Sequence, residues 1–354
     1  MALLHTTKSD APFLESVKPR AAIPGGVLEV HGVHLMRSLA VGDELRMPHA
    51  TLGETEATLD LARATRALVR VPVGAIASDL VLVRDGIASN VVHANVGVPM
   101  VEELHLISNP AVDRDGNVYA MVSGPRGEQV PVSIFRVERD LQVRPFVRDL
   151  LNVSALACGV DGYLYASSRQ EGVVWRISNE GEVTTFAEGM GLATGLAFDG
   201  AGNLFVGDRS GTIFKISPER EILVFATLEP SVAAYHLAFR DDGVLLVTAP
   251  TTSSNQSIFA IDPDGSSSVY FNGLGRPQGM ALDVDGNVYV AASWRGQRGI
   301  VRISGESAET RRAEVVVSGT DLVGLCFLED GCAALATNST LFHIDLGIQG
   351  RMLV

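Results

Sequence analysis

The side chains that could do chemistry in this chain gather at one recurring place. Six short apolar runs, best formed as Leu196-Ala197-Phe198, each start one residue after a slot held by Asn109, Ala155, Gly195, His236, Gly279 or Gly324. That slot is small in four runs, so Asn109 and His236 put side chains where the others leave space. One residue earlier stand Ser108, Ser154, Thr194, Tyr235, Gln278 and Val323, nearly all polar. A histidine titrates near physiological pH and can act as hydrogen-bond partner or general base, and the Tyr235 hydroxyl beside it can donate. His236 and Tyr235 are the catalytic candidates, while Ser108, Asn109, Ser154, Thr194, Tyr235, His236 and Gln278 are the ligand-binding ones. Later connections of the same units add Arg169, Arg209, Trp294 and Arg295, with Asp208 and Asn338.

No metal site or cofactor is expected from these residues, since one histidine without a carboxylate beside it is a poor cation site. Asp113-Arg114-Asp115-Gly116-Asn117 and Asp283-Val284-Asp285-Gly286-Asn287 begin like calcium loops, but their glycine comes two positions early and Gly124 or Trp294 stands where the closing glutamate belongs. His31 and His34 have opposite parity on one strand and face opposite sides, which separates them from any shared site with His49 and His93. Cys158, Cys326 and Cys332 make no CxxC pair and read as small core hydrophobes. Nucleophile elbows, phosphate loops and HExxH pairs are absent from the sequence.

The net charge of −13 and pI near 5.1 argue against holding nucleic acid phosphates. No window is long and apolar enough for a membrane span, and Met1–Phe13 lacks a signal-peptide core, so the chain as given is expected in the cytoplasm, or outside it if a leader has been removed.

The elements that carry these residues are strands. Glycine turns at Gly116, Gly162, Gly202, Gly243, Gly286 and Gly331 recur at intervals of 46, 40, 41, 43 and 45 residues. A period of about 40–50 residues with four short alternating runs is a propeller blade, so residues 101–354 are expected to form six blades. The runs Arg144–Val147, Thr184–Ala187, Ile222–Ala226, Ser268–Phe271 and Glu314–Val317 supply outer strands, and either Glu103–Ile107 or Arg351–Val354 closes the last blade. Before them, Leu28–Leu35, Ala57–Leu61, Ala67–Val73, Asp79–Gly86 and Asn90–Gly97 read as a small antiparallel sandwich over 16–98, with a frayed 1–15 and a linker at Gly97-Val98-Pro99.

PGGVLEVHGVHL, VRVPVGA and SNVVHANVG resemble the immunoglobulin-like IPT/TIG module, which implies a packing or contact role for 16–98. GLAFDGAGNLFVGDRSGTIFKIS and RPQGMALDVDGNVYVA resemble NHL and SMP-30/gluconolactonase-like propellers over 101–354. The metal-dependent members of that group imply a glutamate opening the first inner strand and an aspartate in a P-D-G-M phrase. Here those places hold Ser108 and Gln278, so both carboxylates are missing. The expected fold class is all-β, a sandwich followed by a six-bladed propeller. The expected function is binding of an unidentified small molecule or protein at the strand-start mouth without metal. The alternative is a lactonase-like hydrolase or lyase, with calcium or another divalent cation as its cofactor or with a site rebuilt around His236, Tyr235 and Asn109.

Overall fold

A computed structural model describes residues 10–37, 46–76, 78–106, 108–124 and 128–351. The chain is all-β, with one short 3-10 turn at Glu329–Gly331, and divides into two compact units. Among the described residues no helix is long and apolar enough to cross a membrane.

The first unit is residues 1–98 together with Val316–Gly319. Eight of its strands form one continuous sheet rather than two separate ones, because Thr55–Ala62 pairs with His49–Leu52 through its first half and with Arg66–Arg70 through its second. A register shift between Leu59 and Leu61 marks the change of partner, as a bulge turns a strand. The sheet wraps a core of Leu14, Leu28, Val30, Leu52, Val69 and Leu82. The expected fraying does not extend to residue 15, since Phe13–Lys18 is a strand paired with Val27–Val33; residues 1–9 lie outside the described set. His31, His34, His49 and His93 each face their own carboxylate, on Glu29, Asp10, Glu56 and Asp79.

The second unit, 99–315 with 320–354, is a β-propeller. Among the described residues it contributes five four-stranded sheets, and Met280–Leu282, Val288–Trp294, Gln297–Ser304 and Arg312–Ser318 lie as consecutive neighbours in a further, longer sheet. The first strands touch in a closed cycle running Ala111–Val112, Val153–Cys158, Ala193–Phe198, His236–Phe239, Met280–Leu282, Leu322–Phe327 and back. Aromatic wedges fill the spaces between sheets. Phe198 stands edge-on to Tyr165, Phe239 to Phe205 and Phe327 to Tyr289, with centroids 4.9, 4.8 and 5.1 Å apart.

The hairpin aspartates are structural. Asp113 Oδ1 accepts the amides of Asp115 and Asn117 while Oδ2 accepts the Asn117 amide group and the Tyr119 hydroxyl; Asp283 repeats the pattern with Asn287 and Tyr289. Every carboxylate oxygen is thereby spoken for by a donor. Gly116, at φ 79°, supplies the left-handed turn residue.

Closure of the ring differs from both sequence expectations. The fourth strand beside Leu341–Asp345 is Val98–Val101, where pairing was expected to stop. Pro99 is tolerated because an outermost strand has an edge that needs no donor. Glu103–Ile107 is not a strand: Leu104 and Leu106 donate their amides to Ser339 and Asn338, and Ile107 lies outside the described residues. Arg351 bonds the inner strands at Leu282 O and Phe239 O rather than extending an outer one, and 352–354 are outside the described set.

Candidate functional site

The expected mouth is closed by the residues expected to line it. Ser108 Oγ and His236 Nδ1 stand 3.3 Å apart, from the approach to Ala111–Val112 and the start of His236–Phe239, strands three steps apart in the cycle. Both are buried, with 5% and 4% of their surface exposed. Burial holds the His236 imidazole neutral by pushing its pKa down to about 4.

Neighbouring groups tie the ring in the same way. Thr194 Oγ1 donates to Gly207 O and accepts the Tyr235 amide, Thr248 Oγ1 donates to Gln278 O at 2.8 Å, and Gln278 Nε2 reaches Leu322 O at 3.4 Å. Ser154 Oγ lies 2.7 Å from Ala193 O. Asn109 bridges two more strands, donating to Met280 O at 2.8 Å and accepting from Leu325 N at 3.1 Å. A Cβ on Gly279 or Gly324 would come within 1.9 or 2.3 Å of Asn109 Oδ1. The small slot residues there make room for a clamp.

Tyr235 is a correction. Its side chain is fully buried against Gly207 and its hydroxyl donates to Glu229 O, which directs it into the sheet stack and away from His236. Strand alternation explains this, since consecutive residues face opposite sides. The four later candidates do not converge either. Arg169 bonds Ser123 Oγ, Gly124 O and Asn152 Oδ1, Arg209 bonds Val232 O, and Trp294 packs on Phe271 with Arg295 over its ring. Asp208 caps its own loop by accepting the amides of Leu192 and Ser210, and Asn338 lies exposed at the loop that meets Leu106.

The open space is at the opposite end of the ring, beneath the hairpin turns. A cavity of about 330 Å3 is enclosed by the inner strands. Two residues beyond the Asn109/His236 slot the chain places Ala111, Ala157, Ala197, Ala238, Ala281 and Cys326, and all six line it. Five methyl groups and a thiol around the axis are what leave it open. Asn109 reaches this cavity, whereas Ser108 and His236 do not line it. Phe198, Phe239 and Phe327 carry its wall outward to a rim containing Arg240, Asp241 and Arg351. Cys158 also lines it, so that thiol is not simply core; burial pushes its pKa up to about 12.

Arg351 arrives by an unusual route that the sequence did not suggest. After Leu341–Asp345, Leu346 and Ile348 donate to Gly331 O, Val284 donates to Gln349 O, and Arg351 donates its amide to Leu282 O. Gly350 permits this course, since a Cβ would come within 1.8 Å of Phe327 Cβ and 2.1 Å of its Cγ. The segment thus crosses two inner strands and brings the guanidinium to a third, where Nη1 donates to Phe239 O at 3.1 Å and Nη2 meets Asp241 Oδ1 at 2.7 Å.

The donor set at the strand-start end does not fit the divalent cation that lactonase-like propellers imply. Ser108 and Gln278 are neutral and already bonded to His236, Thr248 and Leu322. Among the described residues no three His, Cys, Asp or Glu side chains are grouped to hold a metal.

The chain matches no protein-family model and no curated protein by sequence. Solved structures share its fold. A gluconolactonase from Xanthomonas campestris superposes with a TM-score of 0.59 at 14% identity, covering 72% of this chain and 90% of its own. A protein of unknown function from Bacteroides thetaiotaomicron gives 0.57 at 12% identity, covering 96% of this chain and 99% of its own. An auxiliary nutrient binding protein from the same organism gives 0.53 at 11% identity over 94% of this chain and 97% of that one. The last two extend over both units.

Proposed function

We propose that this protein is a small-molecule-binding scaffold whose six-bladed propeller takes its ligand in the axial cavity beneath the hairpin turns. The sixth blade in this reading is the set of four consecutive strands from Met280 to Ser318, which completes the cycle of first strands. The first unit then serves as a packing module of immunoglobulin-like type, its eight-stranded sheet enclosing a single core. The observation that carries the binding reading is the belt of five alanines and Cys326, which holds open about 330 Å3 between apolar inner-strand side chains and a charged rim. Ligand sites fall in that size range and combine apolar linings with a few polar groups. The nutrient-binding and gluconolactonase neighbours support the fold and agree with small-molecule handling.

A thermal-shift screen of compounds with about ten heavy atoms tests this, using Ala197→Phe to fill the cavity. At least one compound is expected to raise the melting temperature of the parent and not of a folded Ala197→Phe variant. A shift that survives the filling would move the site elsewhere.

The lactonase-like alternative rests on a different observation, the neutral His236 imidazole 3.3 Å from Ser108 Oγ, which is the arrangement of a base beside a nucleophile. Its weakness is access, because neither side chain lines the cavity. Hydrolysis of simple lactones that disappears in Ser108→Ala and in His236→Asn would promote it over binding alone.

A further inference from the structure

The charge distribution at the cavity rim narrows the ligand class, on the premise that the axial cavity is the binding site. We infer that the cavity takes an amphipathic monoanion, with an apolar body among the inner strands and a carboxylate or similar head on Arg351.

Four charged side chains stand at the rim, and their hydrogen bonds separate them. Asp199 is spent, since Oδ1 accepts the amides of Ala201 and Asn203 and Oδ2 accepts the Asn203 side-chain amide. Arg240 turns to Asp242, 2.8 Å away. Asp241 is 72% exposed and already meets Arg351. Arg351 differs in what it touches: both its partners, Phe239 O and Asp241, line the cavity, whereas Arg240, about as accessible, lies against Asp242 and the Tyr270 ring, which do not; the two Arg351 contacts use two of five N–H groups. A guanidinium held among cavity-lining groups with donors to spare presents a planar fork that suits a carboxylate. An entering anion competes only with an exposed aspartate, whose hold in water is weak.

The body of the ligand follows from the wall. The side chains of the alanines, Leu196, Leu237, Phe239 and Phe327 carry no hydrogen-bonding group, and the Asn109 amide at the inner end is committed to Met280 and Leu325. Polar groups deep in the ligand would find no side-chain partner, at a cost to affinity. At about 30 Å3 per water-sized group, the cavity accepts on the order of ten heavy atoms, which is the size of octanoate.

Octanoate and its neutral counterpart 1-octanol, titrated calorimetrically into the full-length protein, provide the test. Octanoate is expected to bind saturably, with affinity reduced about tenfold or more in Arg351→Gln. It should tighten in Asp241→Asn, which removes the competing carboxylate, while 1-octanol binding stays unchanged in both variants. Asp241→Asn keeps the test sound should Arg351→Gln fail to fold, because an arginine that only fastens the chain gives no gain there. Binding of 1-octanol with equal or weaker binding of octanoate overturns the anion and leaves the cavity as the site. Failure of both ligands to bind overturns the anion, and the binding reading falls with it if the wider compound screen is also silent.

Discussion

His236 is held uncharged by its surroundings, and this makes its contribution to stability a function of pH. The folded pKa is about 4 against 6.5 for a solvated imidazole, with burial the cause. Between those values the unfolded chain takes up a proton that the folded chain refuses, so stability is full above about pH 6.5 and declines as pH falls towards 4. A shift of this size corresponds to about 3 kcal/mol once the decline is complete. His236→Gln keeps a polar group near Ser108 and removes the titration. Denaturant unfolding at pH 7 and at pH 4.5 is expected to show a smaller acid loss in the variant than in the parent, by about 2 kcal/mol. Equal losses would mean that the imidazole is solvated and the Ser108 contact is absent. The residue was visible in the sequence because it broke a slot of small residues, but its role was not. Whether a side chain at the axis meets a ligand or another strand depends on how far away the opposite strand lies, and spacing along one strand does not carry that distance.

At the scale of elements, the strand Val98–Val101 completes the sheet of Leu341–Asp345 and so joins the start of the propeller sequence to its end. Met100 and Val101 pack against the cluster of Leu104, Leu106, Val112 and Ala334. Val101→Asp would place a charge against that cluster and peel the strand, exposing a ladder edge. A melting temperature lower by several degrees, with more aggregation on heating, is the expected result in scanning calorimetry. An unchanged transition would show that closure does not depend on this strand. Hairpins and inner strands were legible because alternation and glycine turns repeat six times along the chain. Phe13–Lys18 was not, and the register shift between Leu14 and Ser16 shows why: Leu14 and Val17 are both buried, which a strict period of two forbids. Val98–Val101 was hidden by Pro99, a strand breaker everywhere except at an edge. The cavity did leave a trace, in the unbroken line of alanines with Cys326 two positions beyond the Asn109/His236 slot. Small residues facing an axis mean space, while the polar slot drew the eye to the sealed end.

For the whole molecule, the excess of acidic over basic residues gives a net charge of −13, and any cation will screen that charge whether or not a site exists. A stabilising effect of calcium is therefore meaningful only beyond what ionic strength produces. Among the described residues no three His, Cys, Asp or Glu side chains are grouped to provide more. Asp113 and Asp283 spend their oxygens on turn amides, Asn side chains and tyrosine hydroxyls. Ser108 and Gln278 bring no charge to the axis, and a hard divalent cation held by neutral oxygens alone binds poorly. Thermal unfolding after exhaustive chelation is expected to match that of untreated protein. Millimolar calcium should shift it no further than sodium chloride of equal ionic strength, and calcium titration should give no saturable heat. A one-to-one calorimetric isotherm, or a melting temperature lowered by chelation and restored by calcium alone, would place a cation in the ring and return the lactonase-like chemistry to first rank.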